Sequence, residues 1–302
     1  MARTKLPTRP PLDSDVRAQI AAIRRRSNVL GHAFGSRRVG HEWEPGHFLT
    51  FYVRNKYPDE LLPVRRLRPI PEQIGNYRTD VLPIGEIVGC DLDHHDTLIH
   101  GNSEVRPAAV VRYDGEVRVL MAGHAAPGAS GSLVAKDVVP SKRYDGQVLG
   151  RKFAGGGSVD WAVAVFRGLG ITIDSRNFLT GDTPPLRVSP AKSFTPEAKV
   201  RFMIPGEIVN HGELIHYESA CSVTHNGVEL KYSSLLAIRS TMTRPFAERG
   251  DSGQLVFDAQ NRAIGMIVGV STAGDPVTLV ATIHALRHDD AFIPFYSNFF
   301  AP

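Results

Sequence analysis

Residues 159–166, Val-Asp-Trp-Ala-Val-Ala-Val-Phe, form an apolar run of strand length directly after the turn-forming stretch Gly-Gly-Gly-Ser at 155–158. Short runs rich in β-branched and aromatic residues, bounded by glycine, proline or polar residues, are typical of β-strands. Eight further runs of this kind lie at 47–54, 80–88, 108–113, 117–121, 199–204, 235–239, 254–257 and 264–270. Many short strands separated by turn signals predict an all-β fold, arranged as a sandwich or as barrels.

The helix signal is strong at only one place near the start of the chain. Asp13 can cap a helix there, and Val16, Ile20 and Ile23 recur at helical spacing. This pattern predicts one amphipathic helix over residues 15–30.

The composition is that of a folded chain. It has 302 residues, of which 42% are hydrophobic and 22% charged, as in ordinary globular proteins. Its two cysteines, Cys90 and Cys221, form no CxxC pair, so neither a disulfide framework nor a zinc-finger pattern is indicated. The basic opening is followed by no apolar signal region, and no run reaches 18 apolar residues. We therefore expect a cytoplasmic protein that does not bind a membrane.

Positive charge is concentrated in the first part of the chain. Residues 1–70 carry 14 Lys and Arg against 6 Asp and Glu, whereas the remainder carries 21 against 25. The arginines at 24–26 and 37–38 could contact nucleic acid, but no stacking aromatics are interleaved with them, and a solvated charged face explains them equally well. We do not expect a nucleic-acid partner; an acidic regulatory protein could dock on this basic segment.

The order of strand and turn signals divides the chain into three parts. We expect an N-terminal extension over 1–104, in which the helix is followed by β segments that lead into a first barrel. The first barrel spans 105–182, and a second barrel with a C-terminal helix and aromatic tail spans 183–302. The proline-containing stretch 181–196 is the best linker candidate, and the final helix is predicted at 280–287.

One short motif points to nucleophilic chemistry. Gly250-Asp251-Ser252-Gly253 lies between a polar loop and an apolar strand. A serine becomes a nucleophile only when a base activates it, and two candidate partners stand at strand ends. His124 follows the strand 117–121 among small residues, and Asp160 opens the strand 161–166.

The order His, Asp, Ser, in the segments MAGHAA, VDWAVAV and ERGDSGQLVF, resembles the chymotrypsin or trypsin-like serine peptidases. The resemblance covers roughly residues 105–290. It implies two packed antiparallel six-stranded β-barrels with the active site between them. It also implies that His124 and Asp160 come from the first barrel and Ser252 from the second. More loosely, residues 49–88 are similar to the start of intracellular bacterial and narrow-leaf-type trypsin-like proteins.

The resemblance further implies roles for individual residues. Ser252 would attack a peptide carbonyl, with His124 as general base and Asp160 as its orienting carboxylate. The backbone amides of Gly250 and Ser252 would form the oxyanion hole. No cofactor or metal is expected.

Residues that would contact substrate follow from the same resemblance. Phe246 stands where the family has the base of its specificity pocket, and Val268, Gly269 and Val270 match the segment that pairs with the substrate backbone. With no aspartate at the position of Phe246, cleavage after basic residues is not supported, and a small or apolar residue before the scissile bond is expected.

Several alternatives remain open. Ser130, in Gly-Ala-Ser-Gly at 128–131, imitates a nucleophile turn, but is interpreted as part of the loop after the histidine. Asp93, His94, His95, Asp96 and His100 could ligate calcium or zinc, although an exposed polar loop explains them equally well.

The remaining histidines, and two further features, have structural interpretations. Surface or packing roles are expected for His211, His216, His225, His284 and His288. Cys221 is expected to be a small buried hydrophobe. Ile87-Val88-Gly89 could form a new N-terminus after cleavage behind Glu86, or simply end a strand.

The leading hypothesis is an intracellular serine endopeptidase. The alternatives are a non-catalytic peptide-binding module on the same fold and an esterase that uses the same triad. An α/β-hydrolase is excluded, because neither candidate serine lies in a G-x-S-x-G motif and the required helices are missing.

Overall fold

The structure is a computed structural model. It describes residues 12–39, 42–88, 98–100, 103–105, 107–114, 116–126, 132–136, 143–152, 159–166, 186–190, 194–202, 209–225, 227–274 and 276–301.

Strands dominate the described part of the chain, and helices are confined to its two ends. The helices are α1 (Ser14–Arg24), a 3-10 turn at Asp59–Leu61, α2 (Ile283–Arg287) and α3 (Ile293–Phe299). The strands are β1 (Val29–Val39), β2 (Glu42–Val53), β3 (Gln73–Ile74), β4 (Tyr77–Pro83), β5 (Ile87–Val88), β6 (Leu98–His100), β7 (Ser103–Val105), β8 (Pro107–Tyr113), β9 (Glu116–Met121), β10 (Ser132–Lys136), β11 (Arg143–Lys152), β12 (Trp161–Phe166), β13 (Lys199–Phe202), β14 (Asn210–His225), β15 (Val228–Ser240), β16 (Leu255–Asp258), β17 (Ala263–Ser271) and β18 (Val277–Thr282). The prediction of an all-β fold is confirmed.

The C-terminal strands are paired around a ring. Their order is β13-β16-β17-β18-β15-β14, and an additional pairing of β13 with β14 joins the two ends. β17 and β18 are buried along almost their whole length, because their residues are nearly all apolar. Ser252 lies in the loop that enters this ring at β16.

The other sheet has the order β7-β6-β10-β11-β12-β9-β8. β12 pairs antiparallel with β9, and Ala162 lies opposite Met121. The start of β12 and the end of β9 therefore meet at the same edge of the sheet. This is the edge from which Asp160 and His124 extend.

The strands of the N-terminal extension are divided between the two sheets: β6 pairs with β10 of the sheet that carries His124 and Asp160, whereas β1, β2 and β4 do not. β1 pairs with β14, β2 pairs with β1, and β4 pairs with β2 in parallel, so these strands extend the sheet of the C-terminal half. The long β14 makes this possible, because it runs beyond the ring and offers an edge to β1. Sequence periodicity carries no information about which distant strand will accept such an edge.

Helix α1 is shorter than the predicted span 15–30. Its start is as expected, since the side chain of Asp13 accepts a hydrogen bond from the amide of Val16 at 2.8 Å. It ends at Arg24, and by Val29 the chain has already entered β1, where pairing with β2 overrides the local helical pattern. The buried face of the helix packs on Phe34, Leu49, Phe51, Ile74 and Tyr77.

The C-terminal segment also differs from the prediction of one helix at 280–287. Its first residues belong to β18, the helix α2 begins at Ile283, and the aromatic tail forms the additional helix α3. The tail packs in a core cluster that contains side chains of both sheets, among them Trp161 and Leu255. The aromatic residues therefore join the two halves of the molecule.

The predicted strand 80–88 is two strands in the structure. β4 ends at Pro83, and the chain then crosses to β17, where β5 pairs with it. Ile84 and Ile87 are both buried, in the core cluster that also holds Val268 and Val223.

No helix within the described ranges is both long and apolar enough to cross a membrane.

Candidate active site

The three residues of the predicted triad meet between the two halves of the fold. His124 follows β9, Asp160 precedes β12, and Ser252 precedes β16. The Oγ atom of Ser252 lies 2.8 Å from Nε2 of His124. Nδ1 of His124 lies 2.5 Å from Oδ2 of Asp160. The serine hydroxyl can therefore donate to the imidazole, whose other nitrogen donates to the carboxylate.

A second hydrogen bond fixes the carboxylate against the backbone. The amide of His124 donates to Oδ1 of Asp160 at 2.8 Å, so both carboxylate oxygens face the same residue. Burial by itself raises the pKa of Asp160, but the charge of His124 and the hydrogen bonds from it outweigh this and hold the pKa below its usual range. Asp160 is therefore ionised at neutral pH.

Tyr232, on β15, is a further ligand of the carboxylate that the sequence did not indicate. Its hydroxyl donates to Oδ2 of Asp160 at 3.1 Å. Burial and the neighbouring Asp160 raise the pKa of Tyr232, so the phenol keeps its proton. Oδ2 of Asp160 thus accepts two hydrogen bonds, one from Tyr232 and one from His124.

His225, the last residue of β14, lies against the face of His124. The two ring centroids are 3.9 Å apart, with an angle of 35° between the ring planes. Nε2 of His225 is 3.1 Å from the hydroxyl of Tyr232. Because that hydroxyl gives its single proton to Asp160, His225 is the donor in this contact. Burial, reinforced by the charge of His124, lowers the pKa of His225 to about 3, so it is neutral.

The four contacts form one chain of hydrogen bonds. It runs from His225 through Tyr232 to Asp160, and from Ser252 through His124 to the same carboxylate. Each donor in it has one acceptor, which fixes the tautomers of both imidazoles. Ser252 is 3% exposed and the side chain of His124 is 1% exposed.

The loop that holds Ser252 is braced by its own backbone and side chains. The amide of Glu248 donates to Oδ2 of Asp251 at 2.8 Å, and the amide of Asp251 donates back to the carbonyl of Glu248 at 3.2 Å. Gly250 has φ of 100°, a conformation in which a side chain would be strained. The amides of Gly250 and Ser252 donate to no protein atom within the described ranges, and their role as an oxyanion hole stays a prediction.

The predicted substrate-contacting residues fall into two groups. Phe246 is fully buried and packs edge-on against Phe202, with ring centroids 5.1 Å apart. Val268, Gly269 and Val270 lie on β17, and Val270 is paired with Val88 of β5. Contact of any of the four with substrate stays a prediction.

The site also brings together three groups that could ligate a metal. Atoms of His124, Asp160 and His225 lie within 4.8 Å of one another. Nδ1 of His124 and Nε2 of His225 are already hydrogen-bonded, and the two rings are stacked. Within this group of three residues, Nδ1 of His225 is a buried ring nitrogen with no hydrogen-bond partner among the described residues. The arrangement is that of a hydrogen-bonded triad and not of an open coordination shell.

Several other sequence predictions lie outside the described residues. These are Ser130, the possible metal ligands Asp93, His94, His95 and Asp96, the side chain of His100, and half of the linker, residues 181–185 and 191–193. Cys221 is a buried free thiol in a core cluster, and burial raises its pKa to about 12, as expected for a packing residue.

Tyr232 and His225 are the two site residues that sequence reasoning missed. His225 was expected at the surface or in ordinary packing, but it packs on the proposed general base. One signal pointed to it: Asn226-Gly227 is a strong hairpin-turn dipeptide, and Gly227 has φ of 78°. The hairpin aligns Cys221 with Tyr232, and carries both site residues to the triad.

Comparisons with known proteins find similarity at the level of structure alone. No family model and no curated protein matches the chain. Among solved structures, Thermobifida fusca Protease A is 16% identical over 70% of this chain and 96% of its own, with a TM-score of 0.44. Cellulomonas bogoriensis chymotrypsin is 19% identical over 67% of this chain and 94% of its own, with a TM-score of 0.41. Nocardiopsis protease is 17% identical over 67% of this chain and 95% of its own, with a TM-score of 0.43.

Two of these proteins are proteases and one is a chymotrypsin, and the likeness of this chain to them is one of fold.

Proposed function

We propose that the chain is a serine endopeptidase that hydrolyses peptide bonds through an acyl-enzyme on Ser252. One observation carries the proposal: Ser252, His124 and Asp160 are joined by hydrogen bonds of 2.8 and 2.5 Å. Nucleophile, base and orienting carboxylate are the groups that acyl transfer requires, and their order of contact is the one required.

The first step is attack of the Ser252 oxygen on the substrate carbonyl carbon. His124 takes the hydroxyl proton at Nε2 as the new bond forms, and Asp160 stabilises the resulting imidazolium through Nδ1. The negative charge that develops on the carbonyl oxygen is stabilised by the amides of Gly250 and Ser252. His124 then gives its proton to the leaving amine, and the carbon–nitrogen bond breaks.

The second step returns the enzyme to its initial state. Water gives a proton to Nε2 of His124 and attacks the acyl carbon, and the same amides stabilise the second tetrahedral intermediate. The bond from the carbonyl carbon to Ser252 breaks, and the serine oxygen regains its proton from His124. A carboxylic acid is released.

Tyr232 and His225 are positioning residues in this proposal. They act through Asp160 and His124, and neither is assigned a contact with the reacting atoms. The amide of His124 holds Oδ1 of Asp160, and the hydroxyl of Tyr232 is a further donor that holds Oδ2 in place beside the imidazole. The stacked ring of His225 limits tilting of the imidazole in the same way.

We also propose a cytoplasmic setting, supported by the free thiol of Cys221. An endopeptidase there requires restricted access to its cleft, and docking of a regulatory protein on the basic N-terminal extension is one means of restriction.

Peptide hydrolysis is tested with a mixed peptide library incubated with wild type, Ser252→Ala and Ser130→Ala. New peptide termini, detected by mass spectrometry, are expected with wild type and Ser130→Ala, and not with Ser252→Ala. Folding of each variant is checked by its circular dichroism spectrum. Hydrolysis retained in a folded Ser252→Ala variant would exclude the proposed nucleophile.

A further inference from the structure

The edge of β17 beside Ser252 is already occupied by another part of the chain. β17 has two edges, and β18 covers one of them, with Val270 opposite Thr278. The other edge is covered first by β16 and then by the residues next to Ser252. This is shown by the amide of Gly253, which donates to the carbonyl of Ile267 at 2.8 Å. Further along this same edge, Val270 and Ser271 pair with Val88 and Ile87 of β5.

A peptide that delivers its carbonyl to Ser252 would use this edge. Extended peptides bind open sheet edges by adding a strand, and main-chain hydrogen bonds supply much of the affinity. Between Ile267 and Val270, only the stretch Val268–Gly269 lacks a paired strand among the described residues on that edge. A peptide extending along β17 would therefore meet β5 after at most two residues.

β5 is held on both of its sides. Val88 faces Val270 of β17 and, in parallel, Thr224 of β14, the residue before His225. A Cβ built on Gly269 would lie 2.9 Å from the carbonyl oxygen of Val88 and 3.2 Å from the Ile87 side chain. β5 therefore fills the gap between β17 and the hairpin that carries His225 and Tyr232.

The segment that leads into β5 is anchored as part of the fold. The amide of Thr272 donates to the carbonyl of Glu86 at 2.8 Å, and the amide of Glu86 donates to the hydroxyl of Thr272 at 2.9 Å. Ile87 is 2% exposed and Ile84 is 1% exposed, and both belong to a core cluster. Displacing β5 would expose both isoleucines to water, so a bound peptide gains too little to replace it.

We infer that β5 is a fixed specificity element that closes the acyl side of the site. Two substrate residues before the scissile bond can pair with β17, and substrate residues further from that bond find no open strand edge. The inference rests on the proposed function. It predicts a site for short acyl groups, whose reactivity does not increase as the peptide is lengthened on that side.

The test uses peptidyl phosphonates that carry one to four alanines before the phosphorus, with the rate of adduct formation on Ser252 followed by intact mass. In wild type, the rate constants for two and for four residues are expected to agree within about twofold. Val88→Pro removes an amide donor from a residue that pairs on both sides. In this variant the four-alanine phosphonate should react about 10-fold faster than the two-alanine phosphonate, as expected for one or two recovered backbone hydrogen bonds.

Val64→Pro is the matched control for the introduced proline. Val64 is 77% exposed, and its amide donates to no described residue. This variant should behave like wild type. A clear gain with length in wild type, or no gain in a folded Val88→Pro variant, would overturn the inference.

A second variant covers the case in which Val88→Pro does not fold. Glu86→Cys combined with Thr272→Cys places two thiols across the hydrogen-bonded pair, and each single variant serves as its control. A fixed β5 predicts the same flat length dependence with the disulfide formed and reduced. A gain with length that appears only on reduction would mean that peptides displace β5, which contradicts the inference.

Failure of the proposed function is recognised separately. A small alkyl fluorophosphonate has no peptide to pair with β17 and should label Ser252 in every variant. If this probe labels none of them, the catalytic proposal fails, irrespective of β5.

Discussion

Removing the hydroxyl of Tyr232 isolates one contact of the Asp160 carboxylate. Tyr232→Phe preserves the ring and deletes the 3.1 Å hydrogen bond to Oδ2 of Asp160. A hydrogen bond to a charged group contributes about 1.5–3 kcal/mol. Because this one is longer than the 2.5 Å bond from His124 to the same oxygen, the lower figure applies, and kcat/KM should fall about 10-fold.

The loss should appear in kcat and leave KM nearly unchanged, because Tyr232 is not in the proposed substrate path. The assay is the hydrolysis of a peptide substrate over a range of concentrations, together with the downfield proton resonance of the hydrogen between His124 and Asp160. That resonance should move in the variant, since the electron density at Oδ2 changes.

Tyr52→Phe is the matched control. The hydroxyl of Tyr52 is also buried and bonded to a histidine, Nδ1 of His216, at 2.8 Å. This variant should lose about 1 kcal/mol of stability and keep its kcat/KM. An unchanged kcat in Tyr232→Phe, or an equal loss in Tyr52→Phe, would refute a positioning role for Tyr232.

Three further predictions concern the carboxylate, the buried histidines and the core. Asp160→Asn should lower kcat by on the order of 10⁴-fold, because the amide favours the wrong imidazole tautomer; equal kcat values for wild type and variant would contradict this. Burial lowers the pKa of His225 to about 3 and that of His216 to about 4. The stability contributed by the two neutral histidines is fully present above about pH 6.5. As the pH falls from about 6.5 to 4, protonation of the unfolded state should lower the free energy of unfolding by about 1.4 kcal/mol per pH unit for each histidine. In His225→Phe, urea titrations should therefore give a shallower pH dependence of the free energy of unfolding, and an unchanged slope would contradict a buried neutral His225. Trp161 is buried against Phe292, with ring centroids 4.9 Å apart, so Trp161→Ala should lower the free energy of unfolding by about 3–5 kcal/mol; a loss below 1 kcal/mol in urea titration would place Trp161 outside the core.

The triad residues could be predicted from the sequence because each stands in a short, distinctive local setting. His124 follows a strand among small residues, Asp160 opens an apolar strand, and Ser252 lies in a glycine-flanked turn. The structure brings these three side chains into contact. The strand at Trp161–Phe166 was predicted to the residue, since its apolar run has clear ends.

The parts that could not be predicted depend on pairings between distant segments. β5 lies on β17, more than 180 residues away in the sequence, and two residues of strand carry no periodic signal. β1 departed from the predicted helix because its partners β2 and β14 outweigh local propensity. His225 stands at the end of a hairpin whose turn dipeptide is visible in the sequence. The sequence does not show which distant residues, here His124 and Asp160, lie beside that hairpin.

Activation of Ser252 is the central claim, and intact mass after treatment with a small fluorophosphonate tests it most directly. The phosphonylating probe forms a bond to a serine oxygen and releases fluoride, and an unactivated serine reacts far more slowly. We predict a single adduct on folded wild type that is missing from Ser252→Ala and present in Ser130→Ala. No adduct on folded wild type, or the same adduct on Ser252→Ala, would contradict the account.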